Sequence, residues 1–189
     1  MQKILFMGAF ALLSACSDRA ALPAAPGHAA ATTTAPGDAP GAGPSTASNV
    51  LSAGGIGAIR FGMTLAEAEQ AVGGKAALPT PFDPACSMVR FPALPKLRFM
   101  VEDGTVTRAD ADPGVDNAVG AAVGDTLAQV RDRHPEVQVG PHKYDENGHY
   151  LTFPSADGRA AIVLEESGGR ITRIRAGLQP AVAYVEACG

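Results

Sequence analysis

The stretch FGMTLAEAEQAVGG, residues 61–74, decides the fold because it carries the start, body and end of a short helix. Thr64 is followed three residues later by Glu67, the pattern of a capping box, in which both side chains bind backbone amides of the first turn. Gly62 lets the chain turn into this cap, and Gly73 with Gly74 ends the helix. One apolar stripe recurs at helical spacing and consists of Leu65, Ala68 and Val72.

The same pattern returns in VGDTLAQVRDRHP, residues 123–135. The positions of Gly62 and Thr64 are taken here by Gly124 and Thr126. Gln129 completes a second capping box, and Pro135 ends the second helix. The sequence therefore predicts two helices that start in the same way.

A second match follows each helix. LRFMVEDGTVTRADA (97–111) and AAIVLEESGGRITRIRA (160–176) each read as an apolar strand, an acidic glycine-containing turn and a strand that begins with Val or Ile, then Thr-Arg. The two helices and the two strand pairs repeat at nearly the same offset, which indicates an internal repeat. We expect an α+β fold in which residues 50–189 form one domain of two tandem helix-plus-antiparallel-meander halves, about 54–112 and 115–189.

Two further elements are expected in the second half. Asn147-Gly148 within HKYDENGHYLTF is a strong signal for a two-residue hairpin turn. Residues 181–187, AVAYVEA, are expected to form a last strand that brings Cys188 towards Cys86.

A duplicated helix-plus-sheet unit that starts at Gly62, Met63 and Thr64 is similar to the beta-lactamase inhibitor protein and to the small lipoprotein of outer-membrane assembly, where the letters GMT open the first helix. The resemblance covers about residues 56–176 in pattern, and in the second half Asp125 replaces Met63. It implies the fold rather than the function. No contact residues are transferred, because the binding surfaces of those families vary.

The N-terminus predicts export and lipid anchoring. Residues 1–15 contain one Lys and then a continuous apolar run, the layout of a signal peptide. Leu13-Ser14-Ala15-Cys16 resembles the lipobox of bacterial lipoproteins, which implies cleavage before Cys16, a diacylglycerol on its thiol and acylation (palmitate) of the new amine. Ser17 follows where an Asp would indicate the inner membrane, so we expect the periplasmic face of the outer membrane. The alternative is an ordinary secretory signal in which Cys16 is incidental.

Residues 16–49 are rich in Ala, Pro, Gly and Thr and bury too little apolar surface to fold, so they predict a disordered tether. Its reach as a flexible coil is roughly 30 Å. The formal net charge of −4, without clusters of Lys and Arg, argues against a nucleic-acid partner. The expected membrane contact is therefore the lipid on Cys16.

With Cys16 acylated, Cys86 and Cys188 remain, and in an oxidising periplasm two such thiols predict one disulfide. The alternatives are two unpaired thiols or a catalytic Cys. The bond is favoured because no His-containing motif surrounds either thiol.

Four residues of the predicted hairpin have the side chains of a metal site: His142, Asp145, Glu146 and His149. With a two-residue turn at Asn147-Gly148, His149 would lie opposite Glu146, and the two histidines would be too far apart to share an ion. Exposed hairpin residues are the favoured interpretation. A longer loop would bring the two histidines nearer, and no metal or other cofactor is predicted.

Catalytic motifs are also missing from the sequence: there is no Gly-x-Ser-x-Gly elbow and no Ser-x-x-Lys. The acidic pairs Glu102-Asp103 and Glu165-Glu166 are expected to be solvated at equivalent turns. Three arginines, which alternate with apolar residues, are expected to face solvent rather than to line an anion site; they are Arg108, Arg173 and Arg175.

The sequence therefore favours a non-enzymatic lipoprotein that acts as a binding or envelope-assembly module for a protein or an envelope glycan. The alternative from the resemblance is an inhibitor of a hydrolase such as lysozyme or beta-lactamase. A weak hydrolase that uses the acidic pairs is a third hypothesis, and it requires a carboxyl group with a raised pKa in a concave site.

Overall fold

The computed structural model describes residues 49–188 of the chain. The predicted signal peptide, the lipidation site at Cys16 and the tether up to residue 48 lie outside the described residues, as does Gly189. Within the described part, two short helices and a seven-stranded antiparallel sheet form one domain, which confirms the α+β class.

The helices are α1 (Leu65–Val72) and α2 (Leu127–Arg133). A small hairpin pairs β1 (Gly55–Ile56) with β2 (Ile59–Arg60). The large sheet consists of β3 (Cys86–Val89), β4 (Leu97–Glu102), β5 (Thr105–Ala111), β6 (Gln138–Pro141), β7 (His149–Pro154), β8 (Ala160–Ser167) and β9 (Arg170–Leu178). Their spatial order is β3-β4-β5-β9-β8-β7-β6. The last strands of the two predicted meanders, β5 and β9, therefore pair with each other at the middle of the sheet.

Both helices begin at the threonine that the sequence indicates. The hydroxyl oxygens of Thr64 and Thr126 each accept from the backbone amide three residues on, at 3.2 Å. The side chains of Glu67 and Gln129 accept from the threonine amides at 2.8 Å, so both capping boxes are complete. Two backbone amides at the start of each helix, which have no acceptor within the helix, are thereby satisfied.

The turn before each helix is joined to the second strand of its own meander by two backbone hydrogen bonds. The Gly62 amide donates to the Val106 carbonyl and the Val106 amide donates to the Met63 carbonyl, both at 2.8 Å. At the second helix the Gly124 amide donates to the Ile171 carbonyl and the Ile171 amide donates to the Asp125 carbonyl, also at 2.8 Å. Gly62 and Gly124 have φ of 97° and 99°, a conformation that L side chains rarely adopt.

Each meander also contains a β-bulge at an equivalent threonine. The register shifts leave Thr107 unpaired between β4 and β5, and Thr172 unpaired between β8 and β9. A bulge adds one residue and so changes which face the following side chains point to. Val106 and Ala109, on either side of the first bulge, both contribute to the same hydrophobic core.

That core lies between one face of the sheet and the two helices. Ala68 of α1 and Val130 of α2 are fully buried in it. Phe91 and Phe99 are also fully buried, and their rings meet edge to face with centroids 5.2 Å apart. Burial of each of these two phenylalanine side chains stabilises the fold by about 1.5–3 kcal/mol.

The opposite face of the sheet is covered by residues 179–188, which we call the strap. The predicted strand over residues 181–187 is wrong: the chain forms a 3₁₀ helix at Ala181–Ala183. The central strands beneath it are already hydrogen-bonded on both sides, so the strap lies across the sheet face instead of extending the sheet. The disulfide between Cys86 and Cys188 is confirmed and joins the end of the strap to the edge strand β3.

The hairpin turn expected at Asn147-Gly148 is also wrong. His149 pairs with Pro141, and residues 142–148 form a longer loop. A two-residue turn of the expected type needs positive φ at both positions, which neither residue has. The Asp145 side chain holds the loop instead, because it accepts from the Asn147 amide at 3.0 Å and from the Ser167 hydroxyl at 2.6 Å.

Candidate functional site

The acidic pair Glu165-Glu166 lies inside β8 rather than at a solvated turn, so that prediction is wrong. The two residues are only 7% and 2% exposed. The turn lies further on, at Gly168-Gly169. Both faces of β8 are covered, one by the core and the other by the strap. In the first half, by contrast, Asp103 is exposed in its turn, as expected.

Two of the three arginines predicted to face solvent are buried. Arg108 and Arg175 are 3% and 2% exposed. Arg108 donates to two strap carbonyls at 2.7 and 3.3 Å, and Arg175 donates to the Val182 carbonyl at 2.8 Å. The prediction of solvent exposure fails because a segment distant in sequence covers these strands. Arg173, the third, has an exposed side chain.

The buried arginines are paired with carboxylates. Arg108 binds Asp110 through two hydrogen bonds, of 2.6 and 3.1 Å. Arg175 binds Glu165 at 2.8 Å. Burial raises the pKa of Glu165, but the hydrogen bond from Arg175 and the neighbouring His142 outweigh burial and hold this pKa below its usual value. Glu165 therefore stays ionised at neutral pH and lacks the raised pKa that the hydrolase hypothesis requires of a general acid.

His142 and Tyr150 extend this cluster beneath the strap. Their rings stack with centroids 4.8 Å apart. His142 Nδ1 accepts from the amides of Tyr144 and Asp145 at 3.1 and 3.0 Å. The ring hydrogen is therefore on Nε2, which lies 3.3 Å from Glu165 Oε1. The Tyr150 hydroxyl is buried and has no hydrogen-bond partner among the described residues.

Three of the four candidate metal ligands have other partners, and the fourth, Glu146, is exposed. His142 Nδ1 is occupied by two backbone amides, and His149 Nδ1 lies 2.7 Å from Glu166 Oε2. Asp145 is used within its own loop. Across residues 49–188, no group of three or more His, Cys, Asp or Glu side chains is placed to hold a metal ion.

A small cavity of about 140 Å³ lies on the strap side of the sheet, where β4, β5 and β9 adjoin; we call it the arginine pocket. Its charged lining consists of Arg98, Arg108, Asp110, Asp112, Arg173 and Arg175. Arg98, the only cation within β4, was not among the residues predicted from the sequence, whereas the other three arginines were. The pocket therefore lies where the first predicted meander, with β4 and β5, adjoins the last strand of the second, β9.

A larger open groove of about 740 Å³ lies at one end of the sheet. Its lining comes from the N-terminal hairpin region, the β7–β8 turn and the end of β9, and consists of Ala53, Gly54, Phe61, Ser155, Asp157, Gly158, Arg159, Ala160, Leu178 and Gln179. The two charged residues neutralise each other, with Arg159 Nε 2.7 Å from Asp157 Oδ2. The Ser155 hydroxyl and Arg159 hold the pKa of Asp157 far below its ordinary value.

The residues that start the helices, Gly62, Met63, Thr64, Gly124 and Thr126, act in the backbone and cap interactions described above and do not line either cavity. No helix in the described part of the chain has the length and apolar character needed to cross a bilayer. Comparisons of the chain with protein-family models, with curated proteins and with solved structures find no match. The resemblance to the beta-lactamase inhibitor protein and to the assembly lipoprotein therefore stays a prediction.

Proposed function

We propose that the protein is a non-enzymatic lipoprotein of the outer membrane, anchored through Cys16, whose periplasmic domain binds a protein segment or an envelope glycan in the groove. The lipobox supports the anchor. The disulfide between Cys86 and Cys188 supports an oxidising compartment.

We also propose that the domain is an internal repeat of two helix-plus-meander halves. The support is the recurrence of the same capping box, the same pair of hydrogen bonds before the helix and the same bulged threonine in each half. Three such coincidences at matching positions are hard to reconcile with independent origins.

The single observation that carries the binding proposal is the shape and chemistry of the groove. The groove is open to solvent, with apolar surface from Phe61 and Leu178 beside the hydroxyl of Ser155. Its only ionisable pair, Asp157 with Arg159, is mutually neutralised. A carboxylate with so low a pKa is a poor general acid or base at neutral pH, whereas apolar surface with a few fixed polar groups is typical of binding sites.

Blocking the groove tests the proposal. Gly54 lines it, and a Cβ at this position would meet only Ser52 Oγ, at 4.0 Å, so Gly54→Trp places a large ring in the groove without backbone strain. Gly74→Trp is the matched control: it is also an exposed glycine, and a Cβ there meets nothing within 4 Å. The chain contains no other Trp, so the two variants have the same composition.

In pull-downs from an envelope extract with the soluble Cys16→Ser form, we expect a partner to be retained by the parent and by Gly74→Trp. Retention by Gly54→Trp should fall by about tenfold or more, because the ring occupies the space of the partner. Equal retention by both variants contradicts the groove as the site. The binding function itself is lost if no partner is retained while the purified protein turns over a peptidoglycan or ester substrate, or inhibits a hydrolase in a panel assay.

A further inference from the structure

The arginine pocket contains more cationic groups than its acidic neighbours neutralise. Its lining has four arginines and two aspartates. Glu165, which pairs with Arg175 from the adjacent strand, removes one further positive charge. Arg90, also outside the lining, lies 3.4 Å from Asp112, so five arginines face three carboxylates and an excess of positive charge remains for an anion.

The buried arginines form the base of this pocket, and both donate to strap carbonyls and to a carboxylate. Arg108 uses Nε and Nη2 on Asp110 and Nη1 on strap carbonyls. Arg175 uses Nε on the strap and Nη1 on Glu165. Burial, followed by repulsion from Arg108, lowers the pKa of Arg175, while Glu165 and Asp110 act in the opposite direction.

The two arginines at the rim have free donors. The side chains of Arg98 and Arg173 are 48% and 68% exposed. Arg98 Nη2 lies 3.7 Å from the nearest oxygen of Asp110, and Arg173 Nη1 lies 3.9 Å from Glu165 Oε1. Both distances exceed a hydrogen bond, and neither guanidinium group forms one with any other described residue. A guanidinium group has five N–H donors in a planar fork that matches a carboxylate.

The size and charge of the pocket select the ligand. A cavity of about 140 Å³ has the volume of roughly four or five water molecules, at about 30 Å³ each. That space fits one carboxylate and its first carbon atoms. A phosphate dianion would bring two negative charges towards the carboxylates of Asp110 and Asp112, whereas a carboxylate brings one and is repelled less.

We propose that the arginine pocket binds a single carboxylate group of an anionic ligand, through the guanidinium groups of Arg98 and Arg173 at the junction of the two halves. This site is separate from the groove and does not depend on it. Either proposal can therefore fail while the other stands.

The test is a titration of the isotopically labelled Cys16→Ser protein with sodium acetate at constant ionic strength, followed by NMR on the arginine Nε–H signals and the backbone amides. We expect saturable shifts at Arg98, Arg173 and neighbouring amides of β5 and β9. Arg173→Gln and Arg98→Gln should each weaken acetate binding by about fivefold or more, because each removes charge-assisted hydrogen bonds. Arg131→Gln is the matched control, since Arg131 is an exposed arginine of α2 outside the pocket.

Three results would overturn the proposal. The first is no saturable shift with acetate, and the second is an equal loss of binding in Arg131→Gln and the pocket variants, which would show only general surface charge. The third is tighter binding of inorganic phosphate than of acetate, which would replace the carboxylate with a phosphate ligand. Urea unfolding of each variant checks the fold, and the two pocket variants are independent of each other should one of them be unstable.

Discussion

The two bulged hairpins share a backbone geometry but bury opposite kinds of side chain. In the first, β4–β5, the residues on either side of the register shift are Met100 and Val101, both fully buried and apolar. In the second, β8–β9, the equivalent positions hold Glu165 and Glu166, which are buried and acidic. The same framework therefore accepts an apolar pair or a charged pair, provided that the charged pair finds partners.

The partners of the acidic pair come from outside the hairpin as much as from within it. Arg175 of β9 neutralises Glu165, and His149 of β7 faces Glu166. At the position equivalent to Arg175 the first half has Asp110, which binds Arg108. The comparison teaches that the backbone pattern is repeated while the charges are arranged differently, and both sets of charges meet at the β5–β9 junction.

The largest expected effect is that of Glu165→Met, which places the methionine of the first hairpin, Met100, at the equivalent position of the second. Arg175 would then be a buried cation without its carboxylate, which costs about 3–5 kcal/mol of unfolding free energy. Met100→Leu, the apolar control at the equivalent position, should cost less than about 1.5 kcal/mol. Urea unfolding measures both.

The double variant Glu165→Met, Arg175→Met sharpens the comparison, because it also removes the buried, unpaired guanidinium group of Arg175. It should regain at least about 2 kcal/mol relative to Glu165→Met alone. If the single variant is no less stable than Met100→Leu, the two hairpins differ in composition only and the ion pair has no structural role.

A smaller and equal effect is expected at the two helix starts. Thr64→Ala and Thr126→Ala each remove a side-chain cap of the same geometry, so each should lower the free energy of unfolding by about 1 kcal/mol. Thermal or urea unfolding of both variants under the same conditions tests the equivalence. Serine at either position should retain most of the stability, since it keeps the hydroxyl, and a clear inequality between the two alanine variants would break the correspondence of the halves.

The smallest effect is a dependence on pH that only the second hairpin should show. The pKa of Glu165 is lower in the folded protein than in the unfolded chain, so its contribution is present above its unfolded pKa of about 4.3 and is lost as the pH falls through the folded value. The difference in stability between the parent and Glu165→Gln should therefore shrink on acidification from neutral pH. The effect is small because burial opposes the hydrogen bonds.

Met100→Leu again serves as the reference, measured over the same pH range. Its stability difference from the parent should not change with pH, because no titratable group is replaced. A Glu165→Gln difference that is constant down to acidic pH would show that Glu165 has no lowered pKa.

Features encoded in short stretches were readable from the sequence. The capping boxes depend on residues three apart, and the meanders depend on adjacent strands and their turns, so Thr64, Thr126 and the paired hairpins could be located. The disulfide followed from the number of cysteines and the expected compartment. The α+β class was predictable from these elements together.

Features that depend on the strap could not be predicted from the sequence. Alternation along β8 and β9 marks Arg175 as facing away from the core, but only a segment elsewhere in the chain decides whether that side meets water. The Asn147-Gly148 turn failed for a related reason, since Asp145 and His142 hold a longer loop by side-chain bonds to its backbone. The arginine pocket needs β4, β5 and β9 together, and no local pattern places Arg98 beside Arg173.

The bond between Cys86 and Cys188 turns most of the domain into a closed ring, since 102 residues of sequence separate its ends. A protease that cuts once inside this ring, for instance in the exposed β7–β8 turn, cannot shed either fragment while the bond is oxidised. Both pieces would migrate as one species until a reductant is added. Damage at an exposed loop would thus leave the two fragments joined as one molecule.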